Sequence, residues 1–255
     1  MLERIRREGG VTVTELARDH GVSPVTVHRD LAGLAAEGLI ERVHGGARTV
    51  EGDGAVRIET DWDKRVRQSQ AAKEAMATAA AELVPDNATV FVDASSTCLA
   101  VAHALAEGAS GPLTLVTNSP AIAFELTADQ IHVIVVPGEV DQHLRLIAGR
   151  WAIEFLTDLN IDIAFISAAG ITLEQGLTTS RRPLADVVNA ARAVADRSVA
   201  LIDASKFGRS SLLTICRPEE LDLLIVDAGL PERELAGYRR AGVSVEVAAE
   251  PVPTT

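Results

Sequence analysis

Residues 12–34 read TVTELARDHGVSPVTVHRDLAGL, and this stretch predicts two short helices joined by a tight turn. Thr12 and Glu15 have the spacing of a capping box, in which each side chain bonds the backbone N–H of the other residue. Gly21 suits the end of the first helix, and Ser23 followed by Pro24 suits the start of the second. These signals together predict a helix-turn-helix.

The second helix has an apolar face and a polar outer face. Val27, Leu31 and Leu34 recur at spacings of four and three, and Arg29 lies opposite them. Residues 38–47, GLIERVHGGA, predict a strand and a Gly-rich turn that would form a wing along a DNA backbone. The alternative is a small three-helix domain with Arg29 on a solvated face. The DNA-reading interpretation predicts contacts at Ser23, Val25, Thr26, His28, Arg29, Arg42, His44, Gly45 and Arg48.

Composition and charge narrow the class of protein. The 255 residues are 47% hydrophobic and 24% charged, which is ordinary globular composition and predicts neither disorder nor a membrane span. The net charge is −12, yet residues 1–50 carry seven bases and seven acids, so the acidic excess lies beyond the predicted DNA-binding segment. Two cysteines and the absence of an apolar leader predict a cytoplasmic protein without a disulfide framework or a zinc site. Only three of the 24 bases are lysines, at positions 64, 73 and 206.

The pattern of hydrophobic residues changes near residue 50. Residues 51–54 read EGDG and predict a linker, and the Ala-rich residues 61–84 predict one continuous helix. Seven apolar runs then alternate with helical segments, at residues 88–93, 113–117, 131–136, 161–167, 199–203, 221–227 and 243–247. Such runs predict strands buried on both faces, and hence an α/β fold with a mainly parallel sheet. The predicted domains are 1–50, a winged helix-turn-helix; 51–70, a linker and the start of a connecting helix; and 71–255, an effector-sensing α/β domain.

Polar residues follow several of the predicted strands. Ligands of open parallel sheets bind beyond the carboxyl ends of the strands, and the N-terminus of a helix there favours an anion. Helix capping is the alternative role for the hydroxyls, and pairing with Asp203 is the alternative for Lys206. The candidate effector-binding residues are Asp93, Ser95, Ser96, Thr97, Thr117, Asn118, Gly138, Gly170 and Lys206.

Two segments, VSPVTVHRDL at 22–31 and GLIERVHGGA at 38–47, resemble the DNA-binding signature of the DeoR family of bacterial transcriptional regulators. The ordered motifs DASST (93–97), TNS (117–119), VPGEV (136–140), FISAAGI (165–171) and DASKF (203–207) resemble the sensor domain of that family. That domain is similar to sugar-phosphate isomerases such as ribose-5-phosphate isomerase, to glucosamine-6-phosphate deaminase and to CoA transferases. The chain departs from the common family pattern at His28, Pro137 and Asn189. The cation missing at Asn189 implies a less charged effector, or one held mainly by Lys206, Arg181 or Arg182.

The resemblance implies a transcriptional repressor of a sugar or carbohydrate catabolic operon. It would bind operator DNA and respond to a phosphorylated sugar or related metabolite, with no catalytic residues, no cofactor and no metal. We expect a homodimer or homotetramer, because one recognition helix reads too few base pairs for genomic specificity. The alternatives are a sugar-phosphate isomerase or deaminase with an accessory DNA-binding module, and an oligomerisation domain without a ligand.

Overall fold

A computed structural model describes residues 1–2, 4–5, 10–36, 40–43, 45–49, 61–109, 111–142 and 144–249. Contacts divide the chain into a first unit, residues 1–60, and a second unit, residues 61–255. The linker predicted from residue 51 falls largely outside the described residues, so the predicted domain boundaries stay a prediction.

The first unit contains the two predicted helices, α1 (Val13–His20) and α2 (Pro24–Ala36). The capping box is confirmed: the Glu15 N–H donates to Thr12 Oγ1 at 3.2 Å, and the Thr12 N–H donates to Glu15 Oε2 at 2.9 Å. Gly21 ends α1 in the left-handed conformation at φ 63°, as predicted. Strands β1 (Gly10–Thr12), β2 (Ile40–Val43) and β3 (Gly46–Thr49) form an antiparallel sheet in the order β1-β3-β2.

The second unit is built on a seven-stranded parallel sheet, which confirms the predicted fold class. Its strands are β4 (Thr89–Val92), β5 (Leu113–Thr117), β6 (Ile131–Val135), β9 (Ile161–Ile166), β12 (Ala195–Ile202), β14 (Leu223–Val226) and β15 (Val245–Val247). Their order is β15-β14-β12-β9-β4-β5-β6, and every neighbouring pair is parallel. Apolar side chains cover both faces of this sheet, because two core clusters take alternate residues of the same strands.

The helices of the second unit and its smaller sheets surround this parallel sheet. The helices are α3 (Asp61–Arg67), α4 (Gln70–Ala81), α5 (Ser96–Gly108), α6 (Pro120–Glu125), α7 (Arg150–Thr157), α8 (Arg182–Ala193) and α9 (Glu232–Arg240). A hairpin pairs β7 (Glu139–Asp141) with β8 (Leu146–Ala148), and an antiparallel sheet joins β10 (Gly170–Thr172), β11 (Gly176–Thr179) and β13 (Leu213–Cys216). The hydrophobic pattern did not predict these five short strands. In the described part of the chain, no helix is both long and apolar enough to cross a membrane.

The prediction of one continuous helix over residues 61–84 was wrong. The helix is interrupted between α3 and α4, where Ser69 adopts a left-handed conformation at φ 54°. No glycine or proline marks this break, so nothing in the local pattern signals it. Both helices pack on one core, because Trp62 of α3 is buried in the same core cluster as Met76 of α4.

Candidate functional site

Helix α2 of the first unit separates an apolar face from an exposed face, as a recognition helix requires. Val27 and Leu31 are fully buried, whereas the Arg29 side chain is 82% exposed and Val25 is 78% exposed. Arg29 is paired with the neighbouring Asp30 at 3.8 Å, an exposed contact that restrains it little. The outer face therefore offers a cation and an apolar methyl surface to a partner.

His28 connects this helix to the wing. The Arg42 guanidinium, on β2, donates from Nη2 to His28 Nδ1 at 3.2 Å. This exposed contact places the wing cation Arg42 beside His28 of α2.

The other residues predicted to contact DNA differ in their surroundings. Ser23 Oγ accepts the Thr26 N–H at 3.2 Å, so Ser23 caps α2, and the hydroxyls of the two residues bond at 2.9 Å. Gly45 lies in the turn between β2 and β3 at φ 84°. His44 lies outside the described residues, as does the side chain of Arg48. All nine residues stay predictions as DNA contacts.

In the second unit, the strand order defines where a ligand would bind. From β4 the chain first builds outward through β5 and β6, then returns to β9 on the other side of β4 and builds outward through β12, β14 and β15. The crevice between the carboxyl ends of β4 and β9 is therefore the topological switch point, where doubly wound sheets bind ligands. A cavity of about 590 Å³ opens there, and Ser95 and Ser96 after β4 and Ser167 after β9 line it. We call this cavity the cleft.

Cations dominate the cleft. All three lysines of the chain line it, although they are separated by up to 142 positions in sequence. Of its ionisable lining residues six are cationic and one, Asp203, is acidic. The cationic residues are Lys64, Arg65, Lys73, Arg181, Lys206 and Arg209. In a chain of net charge −12, this concentration of positive charge favours an anionic ligand.

Lys206 is held at the cleft wall by two partners. Its Nζ donates to Ser167 Oγ at 3.1 Å and lies 3.5 Å from Asp203 Oδ2. The Ser167 hydroxyl in turn donates to the carbonyl of Leu201 at 2.8 Å, which orients its oxygen toward the ammonium. Pairing with Asp203 and exposure to the cleft thus coexist at Lys206, whose side chain remains 21% exposed.

Lys73 is the principal cleft residue that the sequence-based list missed. It is 4% exposed, and its Nζ donates to the carbonyls of Arg65 and of Val66, the latter at 3.4 Å. Burial, with a smaller contribution from the Lys206 ammonium, lowers the pKa of Lys73 to about 8. The scarcity of lysine in the sequence was the one signal that could have pointed to it.

The loop after β4 is braced from inside. The Asp93 carboxylate, which is fully buried, accepts the Ser95 N–H at Oδ1 and the Ser167 N–H at Oδ2, both at 2.8 Å. It therefore ties the two sides of the switch point together and does not line the cleft. Ser95 Oγ accepts the Cys98 N–H at 3.0 Å and so caps α5. Ser96 lines the cleft, whereas Thr97 is buried away from it and its Oγ1 has no hydrogen-bond partner among the described residues.

Thr117 and Asn118 bond the protein's own backbone, and their contact with an effector stays a prediction. Both are fully buried, and Thr117 Oγ1 donates to the carbonyl of Val92 at 2.7 Å. Asn118 Oδ1 accepts the Ala94 N–H at 2.9 Å, and its amide nitrogen donates to the carbonyl of Ile147 at 3.3 Å. These hydrogen bonds connect neighbouring loops. They also satisfy polar atoms whose burial without a partner would cost free energy.

The two predicted glycines act through the backbone. A Cβ at Gly138 would lie 2.4 Å from the carbonyl oxygen of Ala148, and one at Gly170 would lie 2.4 Å from that of Arg209. Gly170 therefore lets the segment that carries a cleft cation approach β10. Of the two arginines proposed to replace the missing family cation, Arg181 lines the cleft, whereas Arg182 pairs with Asp186 at 2.9 Å. Within the described ranges, no group of three or more His, Cys, Asp or Glu side chains could hold a metal ion.

Comparison with known proteins supports both halves of this description. Residues 1–52 match the model of the DeoR-like helix-turn-helix domain, and residues 68–228 match that of the DeoR C-terminal sensor domain. The HTH-type transcriptional regulator GolR of Listeria innocua is 34% identical over 93% of this chain and 92% of its own length. The glycerol-3-phosphate regulon repressor of Escherichia coli is 30% identical over 91% of this chain and 90% of its own.

Among solved structures, ribose 5-phosphate isomerase A of Neisseria gonorrhoeae matches 55% of this chain and 54% of its own at 17% identity, with a TM-score of 0.41. This is a partial likeness of fold alone. The curated relatives are named as regulators over nearly their full length, so the alternative of an isomerase or deaminase is set aside. With a DNA-binding module and a sensor module both matched, the chain belongs to the DeoR family of transcriptional regulators.

Proposed function

We propose that the protein represses a carbohydrate catabolic operon and releases its operator when a phosphorylated sugar or related metabolite binds in the cleft. Helix α2 and the wing would read the operator, and two or four copies would supply the half-site contacts that a single recognition helix lacks. A cytoplasmic location follows from DNA as the partner.

The observation that carries this proposal is the convergence of Lys64, Lys73 and Lys206 on one cleft. A cavity of about 590 Å³ accommodates a small metabolite. A neutral sugar gives no reason to gather six cationic side chains, whereas a phosphate dianion interacts favourably with each of them. The name of the Escherichia coli relative refers to glycerol 3-phosphate, a phosphorylated small molecule, which is consistent with an anion of this kind.

Helix α5 adds a second source of positive potential. Its N-terminus opens at Ser95 and Ser96, which both line the cleft. The first N–H groups of a helix have no intrahelical acceptor, and the helix dipole favours negative charge there. The Ser96 hydroxyl and the first-turn N–H groups can therefore donate to phosphate oxygens while the lysines supply formal charge.

Isothermal titration of the full chain tests the phosphate assignment with matched ligands: ribose 5-phosphate against ribose, and glycerol 3-phosphate against glycerol. We expect at least one phosphorylated ligand to bind at least about tenfold more tightly than its parent, because charge-assisted hydrogen bonds exceed neutral ones. Lys206→Met should weaken that binding. Arg150→Met is the control, because the exposed Arg150 pairs with Glu154 on α7 and is not among the residues that line the cleft. Equal binding of each phosphorylated ligand and its parent would refute the assignment.

The regulatory half is tested by gel shift with an operator selected from a random DNA pool. Arg29→Ala should weaken the complex, and a phosphorylated ligand that binds the wild-type protein should release the selected DNA. A ligand that binds without changing DNA affinity would refute induction by release.

A further inference from the structure

Helix α3 forms part of the wall of the cleft. Lys64 and Arg65 of α3, and Gln68 just after it, line the cleft together with residues of the loops after β4 and β9. In the chain, α3 is the first described element after residues 50–60, which connect it to the DNA-binding unit. Helix α3 is therefore part of the cleft wall and also follows directly the segment that leads to the first unit, which is the DNA-binding unit.

The last turn of α3 is held from the following helix. The final carbonyls of a helix have no intrahelical donor, and here Lys73 Nζ supplies one to the carbonyls of Arg65 and Val66. The ammonium also interacts favourably with the negative end of the helix dipole. The left-handed turn at Ser69 folds the chain so that a residue of α4 can reach back to α3.

The same ammonium belongs to the cleft. Lys73 lines it, and the charge of Lys206 is close enough to disfavour the protonated form of Lys73. An anion in the cleft would attract both ammonium groups, and toward Lys73 it would compete with the two α3 carbonyls. Lys206 differs from Lys73 in one respect: its partners, Ser167 and Asp203, lie at the ends of strands and not on α3.

We infer that Lys73 is the residue through which an anion bound in the cleft acts on α3. The ammonium group that would bind the anion is the same group that holds the end of α3. Occupancy of the cleft then loosens the last turn of α3, whereas an empty cleft leaves it held. This inference rests on the proposed anionic effector and adds the residue that couples the effector site to the chain leading to the DNA-binding unit.

The low lysine content gives a direct way to observe the coupling. In the full chain labelled with ¹³C at lysine Cε, we expect three lysine signals, and all three lysines line the cleft. Single Lys→Arg variants assign them. Inorganic phosphate, and then ribose 5-phosphate and glycerol 3-phosphate, are titrated while amide hydrogen exchange is followed over residues 61–68. We expect the Lys73 and Lys206 signals to shift together, and exchange at the end of α3 to accelerate by at least about tenfold, the order expected for losing hydrogen bonds to a charged donor.

Lys73→Met and Lys206→Met form the matched pair. Lys73→Met should expose the end of α3 to exchange without ligand and abolish the further response to ligand, and Lys73→Arg should restore part of both. Lys206→Met should need at least about tenfold more ligand to reach the wild-type response. Gel shift should distinguish the two variants in the same way. At saturating ligand, the ratio of operator affinity without ligand to that with ligand should fall toward one for Lys73→Met and stay at the wild-type value for Lys206→Met.

The results distinguish a failure of the role inferred for Lys73 from a failure of the proposed anionic effector. Wild-type lysine signals that shift with ligand while exchange over residues 61–68 stays constant would overturn the role of Lys73 and leave the anion site standing. An undiminished response of Lys73→Met would overturn it as well. The absence of any shift with phosphate or either phosphorylated ligand would overturn the anionic effector, and with it this inference.

Discussion

The lowered pKa of Lys73 predicts that anion binding weakens as the pH rises above 8. Burial and the neighbouring Lys206 lower this pKa to about 8, while Asp203 raises it and Arg65 lowers it by smaller amounts. A bound anion favours the charged ammonium and so raises the pKa again. By linkage, anion binding then takes up a proton in the interval between the free and the bound pKa, and affinity falls with rising pH across that interval.

The size of the effect follows from the pKa of the free protein. With a value of about 8, roughly nine-tenths of Lys73 is protonated at pH 7 and roughly one-tenth at pH 9. If the anion needs the protonated form, the affinity at pH 9 is lower by about tenfold, or about 1.4 kcal/mol. The ligand contributes little, because the second ionisation of a phosphate ester lies near pH 6 and is already about nine-tenths complete at pH 7.

Isothermal titration of a phosphorylated ligand at half-unit steps between pH 7 and 9.5 measures the effect, and two buffers of different ionisation enthalpy report the proton uptake. Lys73→Met should bind more weakly at pH 7 and lose most of the dependence above pH 8. Lys206→Met should retain a decline, displaced to higher pH because a charge that lowers the Lys73 pKa is gone. Wild-type affinity that stays level from pH 7 to 9.5, without proton uptake at pH 8.5, would refute this reasoning.

Three further predictions concern other parts of the molecule. Arg29→Ala should leave the fold intact, because the Arg29 side chain is 82% exposed. It should weaken operator binding by about 1–3 kcal/mol if Arg29 contacts a base, or reduce the slope of log affinity against log salt concentration by about one if Arg29 contacts a phosphate. Gel shifts at two salt concentrations distinguish these two outcomes. Asp93→Asn should lower the free energy of unfolding in urea by about 1–3 kcal/mol, since an amide offers one acceptor oxygen to two buried loop N–H groups. Gly170→Ala should cost a similar amount and weaken phosphate binding, because the new Cβ would displace the backbone of Arg209; unchanged phosphate affinity would show that Arg209 does not contribute.

Local patterns predicted the features that depend on local physics. The capping box of α1, the left-handed end at Gly21 and the amphipathic α2 follow from side chains that act within one or two turns. All seven strands of the parallel sheet were predicted, because strands buried on both faces need continuous apolar runs. Of the polar residues at the carboxyl ends of those strands, Ser95, Ser96 and Lys206 line the cleft, and their contact with an effector stays a prediction.

The sequence did not show which of the polar residues at strand ends brace neighbouring loops, because that role depends on which loops face one another. Asp93, Thr117 and Asn118 also follow strands, yet they are buried and brace neighbouring loops, a role that the same residue types could fill as readily as ligand binding. The break at Ser69 was missed because the residue is neither Gly nor Pro. The interrupted helix buries Trp62 in the core and lets Lys73 bond the end of α3, and both contacts join residues of different helices.

The sequence by itself therefore determined the helix-turn-helix, the seven strands of the parallel sheet, the family and the edge of the sheet at which we propose that a ligand binds, because periodicity, capping and motif order are properties of short segments. Only the tertiary structure decided what kind of ligand the cleft suits. Its cations come from three separate segments, around residues 64–73, 181 and 206–209, and charge acts over a few ångströms of space whatever the separation along the chain. The strand order, with its reversal between β4 and β9, brings those segments to one place, and no local pattern of residues specifies that order.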